Sequence, residues 1–258
     1  MKSSVQSNSL LAGPNALAAC RAFILQARAS AQAEGSAADC AGRGRGNAAA
    51  PLDRGRLWSA LVCTILTTQQ PTTELSLFPS LPQSPEITRS WVAAQGGRLE
   101  ERLALFCRSR GVRYGTQKAR FIAGAWTTLE TAGAWPILEA AISILLAGEP
   151  SLLRERAAAN AIEGLLDGIG AKQARAFLRS LGLLTHGSVI DTRLLNALAS
   201  FGIQALPTPA ALERRAVYQR VEDFIESLCR SLSDLNILPC ELDALVTQAM
   251  PHNPSLSF

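Results

Sequence analysis

"LLDGIGAKQARAFLRSLG", Leu165 to Gly182, decides how this chain is read. Leu165 and Leu166 end one apolar pattern, and Ala174, Phe177, Leu178 and Leu181 form the apolar face of a following helix. Between them stands Gly168-Ile169-Gly170, where two glycines admit positive φ and a close backbone approach while Ile169 plugs the core beneath. The amides at the start of the next helix lack partners within that helix. The turn is therefore an anion site suited to a nucleic-acid phosphate. A helix–turn–helix connection that uses glycine for geometry alone would read the same way.

Lys172 follows the turn directly. The chain holds only three lysines (Lys2, Lys118 and Lys172) against 22 arginines. A primary amine can lose its proton when desolvated, attack an electrophilic carbon and form a Schiff base, whereas a guanidinium stays protonated. Lysine at this place suggests that chemistry, with chance placement as the alternative. Downstream, "GSVIDTRLLNALASFGI" sets Asp191 at the N-cap of a helix whose core face is Leu194, Leu195 and Leu198. The carboxylate caps; beside an amine it could also orient a nucleophile and stabilise positive charge growing on a sugar ring.

The rest of the chain is helical in pattern. Trp58, Leu61, Val62, Ile65 and Leu66 recur at spacings of three and four, with Asp53 as cap and Pro71 as stop. "SPEITRSWVAAQGG" opens with Ser-Pro and ends in two glycines, as a short helix does. Further helices are expected at roughly 99–109, 114–132, 135–147, 150–166, 171–182 and 189–201. A long one starts at Thr208-Pro209, with Leu212, Ala216, Val217, Val221, Phe224, Ile225, Leu228 and Leu232 on one face, and a last one begins near Pro239. An amphipathic helix precedes the Gly/Ala-rich connector at 36–51, and no alternating strand or repeat is visible, so the fold is expected to be all-α. Glu222 and Asp223 are expected at the surface.

Residues 1–134 carry 15 basic and 8 acidic side chains and residues 135–258 carry 10 and 13, a polarity suited to a polyanionic partner. In the first half, Arg108, Arg110, Arg113, Lys118 and Arg120 cluster as candidate phosphate contacts; a solvated face is the alternative. Six scattered cysteines without C-x-x-C, and two histidines, give no ordinary zinc or iron–sulfur spacing, and no metal is expected. The free cysteines point to a reducing, cytoplasmic compartment. There is no apolar run long enough for a membrane span.

"GIGAKQARAFLRSLG" followed by "VIDTRLL" resembles the helix-hairpin-helix DNA glycosylases, the superfamily that includes endonuclease III. Within it the chain is most similar to the type-2 8-oxoguanine DNA glycosylase/AP lyases: "LVCTILTTQQ" resembles their first core helix, "GVRYGTQKARFI" their basic segment and "ELDAL" their C-terminal helix. The resemblance runs colinearly over roughly residues 53–250. It implies an all-α fold of two helical subdomains flanking a DNA-binding cleft, with Lys172 as Schiff-base lysine and Asp191 as catalytic aspartate. Gln69 falls near the residue that such enzymes push into the duplex; Gly168, Gly170, Arg113, Lys118 and Arg193 would hold the backbone. The implied organisation is an N-terminal helix and connector over 1–50, a glycosylase domain over 51–250 and a tail over 251–258. Within the domain, the hairpin unit lies at about 152–182 and the aspartate segment at 189–201. The implied partner is double-stranded DNA bearing a damaged or modified base, met by a monomer without a cofactor.

The last helix departs from that family. A tryptophan usual soon after "ELD" is replaced near Thr247, and the chain ends in Phe258 rather than lysine. Asp243 and Thr247 are the candidate base-pocket residues. The resemblance thus implies retained chemistry with an altered base-reading surface, so the expected substrate is 8-oxoguanine or another modified base, such as a modified cytosine of phage DNA met in defence. The rival readings are a non-catalytic helix-hairpin-helix grip, which needs the glycines but neither Lys172 nor Asp191, and a monofunctional glycosylase in which Lys172 only contacts phosphate.

Overall fold

Side-chain oxygens begin several of the helices. The computed structural model describes residues 10–12, 15–33, 52–68 and 87–249; Gln69, the connector and the C-terminal tail lie outside them. Asp53 Oδ1 accepts from Arg56 N at 2.7 Å to start α2 (Arg54–Thr67), as its position predicts. Thr88 Oγ1 accepts from Trp91 N at 3.1 Å to start α3 (Arg89–Gln95). That start lies beyond the expected Ser-Pro, because Thr88 supplies a cap and an extended backbone of its own.

The chain divides into two compact units, residues 41–189 and residues 1–40 with 190–258. The middle unit continues with α4 (Leu99–Ser109), α5 (Gly115–Trp126, ending in a π turn over Thr127–Thr131), α6 (Trp135–Leu146), α7 (Leu152–Leu165) and α8 (Ala171–Ser180). Leu61, Val62 and Leu66 of α2 join Leu103, Ile122, Leu138, Ile162 and Phe177 in one apolar core. Burial on this scale is the main favourable term in holding the helices together. Trp58 hangs in the core with Nε1 donating to Ile87 O at 3.0 Å. Trp135 lies beneath two guanidinium groups, Arg54 at 5.5 Å and Arg89 at 5.3 Å, which pair with Glu139 and Glu130.

The terminal unit joins α1 (Ala16–Ala33) to α9 (Thr192–Ser200), α10 (Arg215–Ser231) and α11 (Pro239–Ala249). Arg28 Nε meets Glu241 Oε1 at 2.9 Å and ties α1 to α11. Phe23 packs on Phe201 with centroids 5.2 Å apart. β1 (Leu11–Ala12) pairs antiparallel with β2 (Ile203–Gln204), a strand pair that no alternation announced. At two residues each, these strands leave the fold all-α.

Two expectations change here. The segment from Thr208 is a 3-10 turn over Pro209–Glu213, broken at the extended Arg214, before α10 begins. Glu222 is buried at 1% exposure, not at the surface, because it sits one residue from Val221 and three from Ile225 on the packed face of α10; Asp223 is exposed. Among the described residues no single helix is long and apolar enough to cross a membrane.

Candidate active site

The hairpin closes through Ile169 N, which donates to Leu166 O at 3.2 Å, and Ile169 itself is buried. Only one of its glycines is left-handed. Gly168 has φ 79°, and a Cβ there would lie 2.3 Å from Cγ of Phe121 in α5, so both backbone and packing require glycine. Gly170 has φ −91° and ψ −173°, an extended backbone open to any residue; the expectation of positive φ at both is corrected. Gly170 N donates to Gln173 Oε1 at 3.2 Å at the start of α8. Lys172 follows as the second residue of α8 and is partly buried. One turn on, Arg175 is buried, with Nη1 donating to Ala171 O at 3.3 Å.

Asp191 caps α9, as its spacing predicts. Oδ1 accepts from Arg193 N at 3.0 Å and Leu194 N at 3.1 Å. Oδ2 accepts from Arg193 Nε at 3.0 Å and Nη2 at 2.8 Å, a bidentate pair in which the carboxylate side chain is 13% exposed. Such charge-assisted bonds are short and fix the orientation of the carboxylate. Arg193 thus stands on Asp191 itself.

Two groups that no motif marked accept hydrogen bonds from the chain leading into Asp191. Glu155, in the first turn of α7, is buried at 2% exposure. Its Oε1 accepts from Thr185 N at 2.9 Å, both oxygens accept from His186 N, and Oε2 accepts from Gly187 N at 2.6 Å. Tyr218 Oη accepts from Ile190 N at 2.9 Å. Partners 30 and 28 residues away leave no trace in local spacing.

The basic cluster separates. Arg108, Arg110, Arg113 and Arg120 are exposed, Arg110 lying 5.7 Å over Phe106 and Arg120 5.5 Å over Phe121. Lys118 is not among them: it is buried at 4% exposure and its Nζ donates to Leu66 O at 2.8 Å, near the C-terminus of α2. Its ammonium also works against burial at Cys107, whose thiol is pushed up to about 11. The signal was present, since Lys118, Ile122 and Ala125 fall at helical spacing on one buried stripe. In α11, Asp243 is buried and Thr247 partly buried, one turn apart on one face.

Residues 84–234, more than half of the chain, match a family model described as 8-oxoguanine DNA glycosylase. No curated protein matches the chain. Among solved structures, the chain resembles the Methanocaldococcus jannaschii 8-oxoguanine glycosylase/lyase in complex with a 15mer DNA containing 8-oxoguanine (20% identity, TM-score 0.53, 77% of this chain and 83% of that one). It also resembles a crystal structure of the M. jannaschii 8-oxoguanine DNA glycosylase (17% identity, TM-score 0.59, 90% of this chain and 95% of that one). At these identities the likeness speaks for the all-α fold. Lys172 and Asp191 both lie inside the matched stretch, whereas α11 lies beyond its end. This chain therefore belongs to the 8-oxoguanine DNA glycosylase family of helix-hairpin-helix proteins.

Proposed function

We propose that this protein excises a damaged or modified base from double-stranded DNA and nicks the strand, with Lys172 as nucleophile and Asp191 as the ionised carboxylate that assists it. The carrying observation is the state of Asp191. It is mostly buried, bonded by two amides and a bidentate guanidinium, and precedes its helix within the family-matched stretch that also holds Lys172. A carboxylate so held suits the stabilisation of an oxocarbenium-like sugar, since preorganised charge needs no reorganisation as the bond breaks. The target nucleotide leaves the stack, because its C1′ is out of reach inside a duplex. The neutral amine of Lys172 attacks C1′, the bond from C1′ to the base breaks, and the base departs with a proton. Ring opening gives an iminium. Loss of a C2′ proton then expels the 3′ phosphate by β-elimination, and water releases Lys172. Gly168, Gly170 and Arg113 contact the backbone, Arg193 holds Asp191, and Gln69 fills the space left in the duplex. The enzyme acts as a monomer, without metal or cofactor, in the cytoplasm.

The family points to 8-oxoguanine as the base. A second reading is favoured by the last helix, where Thr247 replaces the expected aromatic and the family match has already ended. There the pocket about Asp243 and Thr247 would take another modified base, such as a modified cytosine of phage DNA. Borohydride trapping tests both on one panel: duplexes carrying 8-oxoguanine, hydroxymethylated or glucosylated cytosine, or a preformed abasic site. Wild-type protein is expected to cross-link to the abasic duplex and to one of the modified duplexes, and Lys172→Gln to none. Binding without cross-linking to any duplex would favour the non-catalytic grip, and base release without cross-linking would favour a monofunctional enzyme.

A further inference from the structure

Glu155 is a carboxylate without an assigned role, and its surroundings are costly. Burying an ionised group is unfavourable unless its lone pairs are satisfied. Here satisfaction comes from three successive backbone amides, Thr185, His186 and Gly187, at 2.6–3.1 Å. Three converging amides form a nest that favours an anion at its centre. Glu155 belongs to α7, the first helix of the hairpin unit, and the loop it holds is the stretch of chain that runs from α8 towards Asp191.

From this geometry we infer that Glu155 is a positioning residue for the attack of Lys172 on C1′, acting by clamping the loop that delivers Asp191. The inference rests on the reading of Lys172 and Asp191 given above. The clamp ends at Gly187, and Tyr218 takes hold again at Ile190, leaving two buried residues, Ser188 and Val189, between the two anchors. From Gly187 to Asp191 the chain spans four residues, so even fully extended it carries Asp191 no more than ~14 Å from the clamp. On the α7 side that tether is held by the Glu155 carboxylate. Without it, the loop gains freedom ahead of a residue whose placement matters at the scale of one ångström, where a misplacement can cost about 100-fold in rate.

The test uses Glu155→Gln and Glu155→Asp in the full chain, with a preformed abasic-site duplex as probe. Three quantities are read: the single-turnover rate of borohydride-trapped adduct, duplex affinity and the thermal midpoint. Glu155→Gln keeps the shape but presents an amide nitrogen to the nest, so the rate is expected to fall about 10- to 100-fold while duplex affinity changes less than about twofold. Glu155→Asp keeps the charge with a shorter reach and is expected to fall between Glu155→Gln and wild type. A purely structural role predicts a lowered midpoint with a normal rate per folded molecule, and that outcome overturns the inference. Should Glu155→Gln fail to fold, Glu155→Asp decides alone, and a wild-type rate from it overturns the inference equally. Trapping that survives Lys172→Gln defeats the underlying reading instead, whichever way the Glu155 variants behave.

Discussion

Two lysines in the middle unit look alike in sequence, each a rare amine beside arginines in the first turn of a helix. They live in different physical settings. Lys118 on α5 is buried and spends its ammonium on the carbonyl of Leu66. Lys172 on α8 is only partly buried, directly after a hairpin whose Gly168 cannot be replaced without meeting Phe121. Rarity alone therefore does not mark a nucleophile. Lysine is preferred over arginine wherever a compact single cation is required, whether for one buried carbonyl or for covalent chemistry. Surroundings separate the two uses.

The sharpest way to break this contrast is to neutralise each lysine in turn. Lys172→Gln is expected to abolish adduct formation on abasic DNA while leaving the thermal midpoint within a few degrees. Lys118→Gln is expected to cost about 1–3 kcal/mol by removing the donor to Leu66 O, yet to retain adduct formation per folded molecule. Equal behaviour of the two variants would erase the distinction. On the Lys172 side, Asp191→Asn keeps the cap acceptor Oδ1 but removes the charge. Base release should slow by about 10²- to 10⁴-fold, measured in single turnover, with little loss of stability.

Gly168 links the two regions, since Phe121, against which it packs, stands three residues after Lys118. Gly168→Ala combines a left-handed backbone with overlap onto a ring and is expected to cost about 2–4 kcal/mol in denaturant unfolding. The smallest effect belongs to Cys107, beside Lys118. Burial raises its thiol from 9.0 to about 11, so between those values the unfolded chain ionises it while the folded chain does not. Stability from this group is complete below pH 9 and is lost as pH rises towards 11. Cys107→Ala should flatten that part of the unfolding-against-pH curve.

Much of this molecule was legible in its sequence because local rules governed it. The caps at Asp53 and Asp191, the buried Ile169 and the succession of helices all follow from spacing within a few residues. Local pattern falls short where packing or one specific partner, near or far, decides the outcome. Lys118 was grouped with exposed arginines because its acceptor, Leu66, is 52 residues away. Glu222, expected at the surface, lies on the packed face of α10. The positive φ expected at Gly170 yielded to Gln173, whose side chain caps an extended backbone. Glu155 and Tyr218 leave no mark in the sequence, because a side chain that binds backbone amides has no complementary side chain to betray it.

The central claim is that one particular nitrogen forms the bond to DNA. The direct measurement is to reduce the adduct with borohydride on an abasic duplex, digest it and locate the modified residue by mass spectrometry. The account predicts the sugar remnant on Lys172 alone; a remnant on Lys118, Lys2 or the amino terminus instead would contradict it.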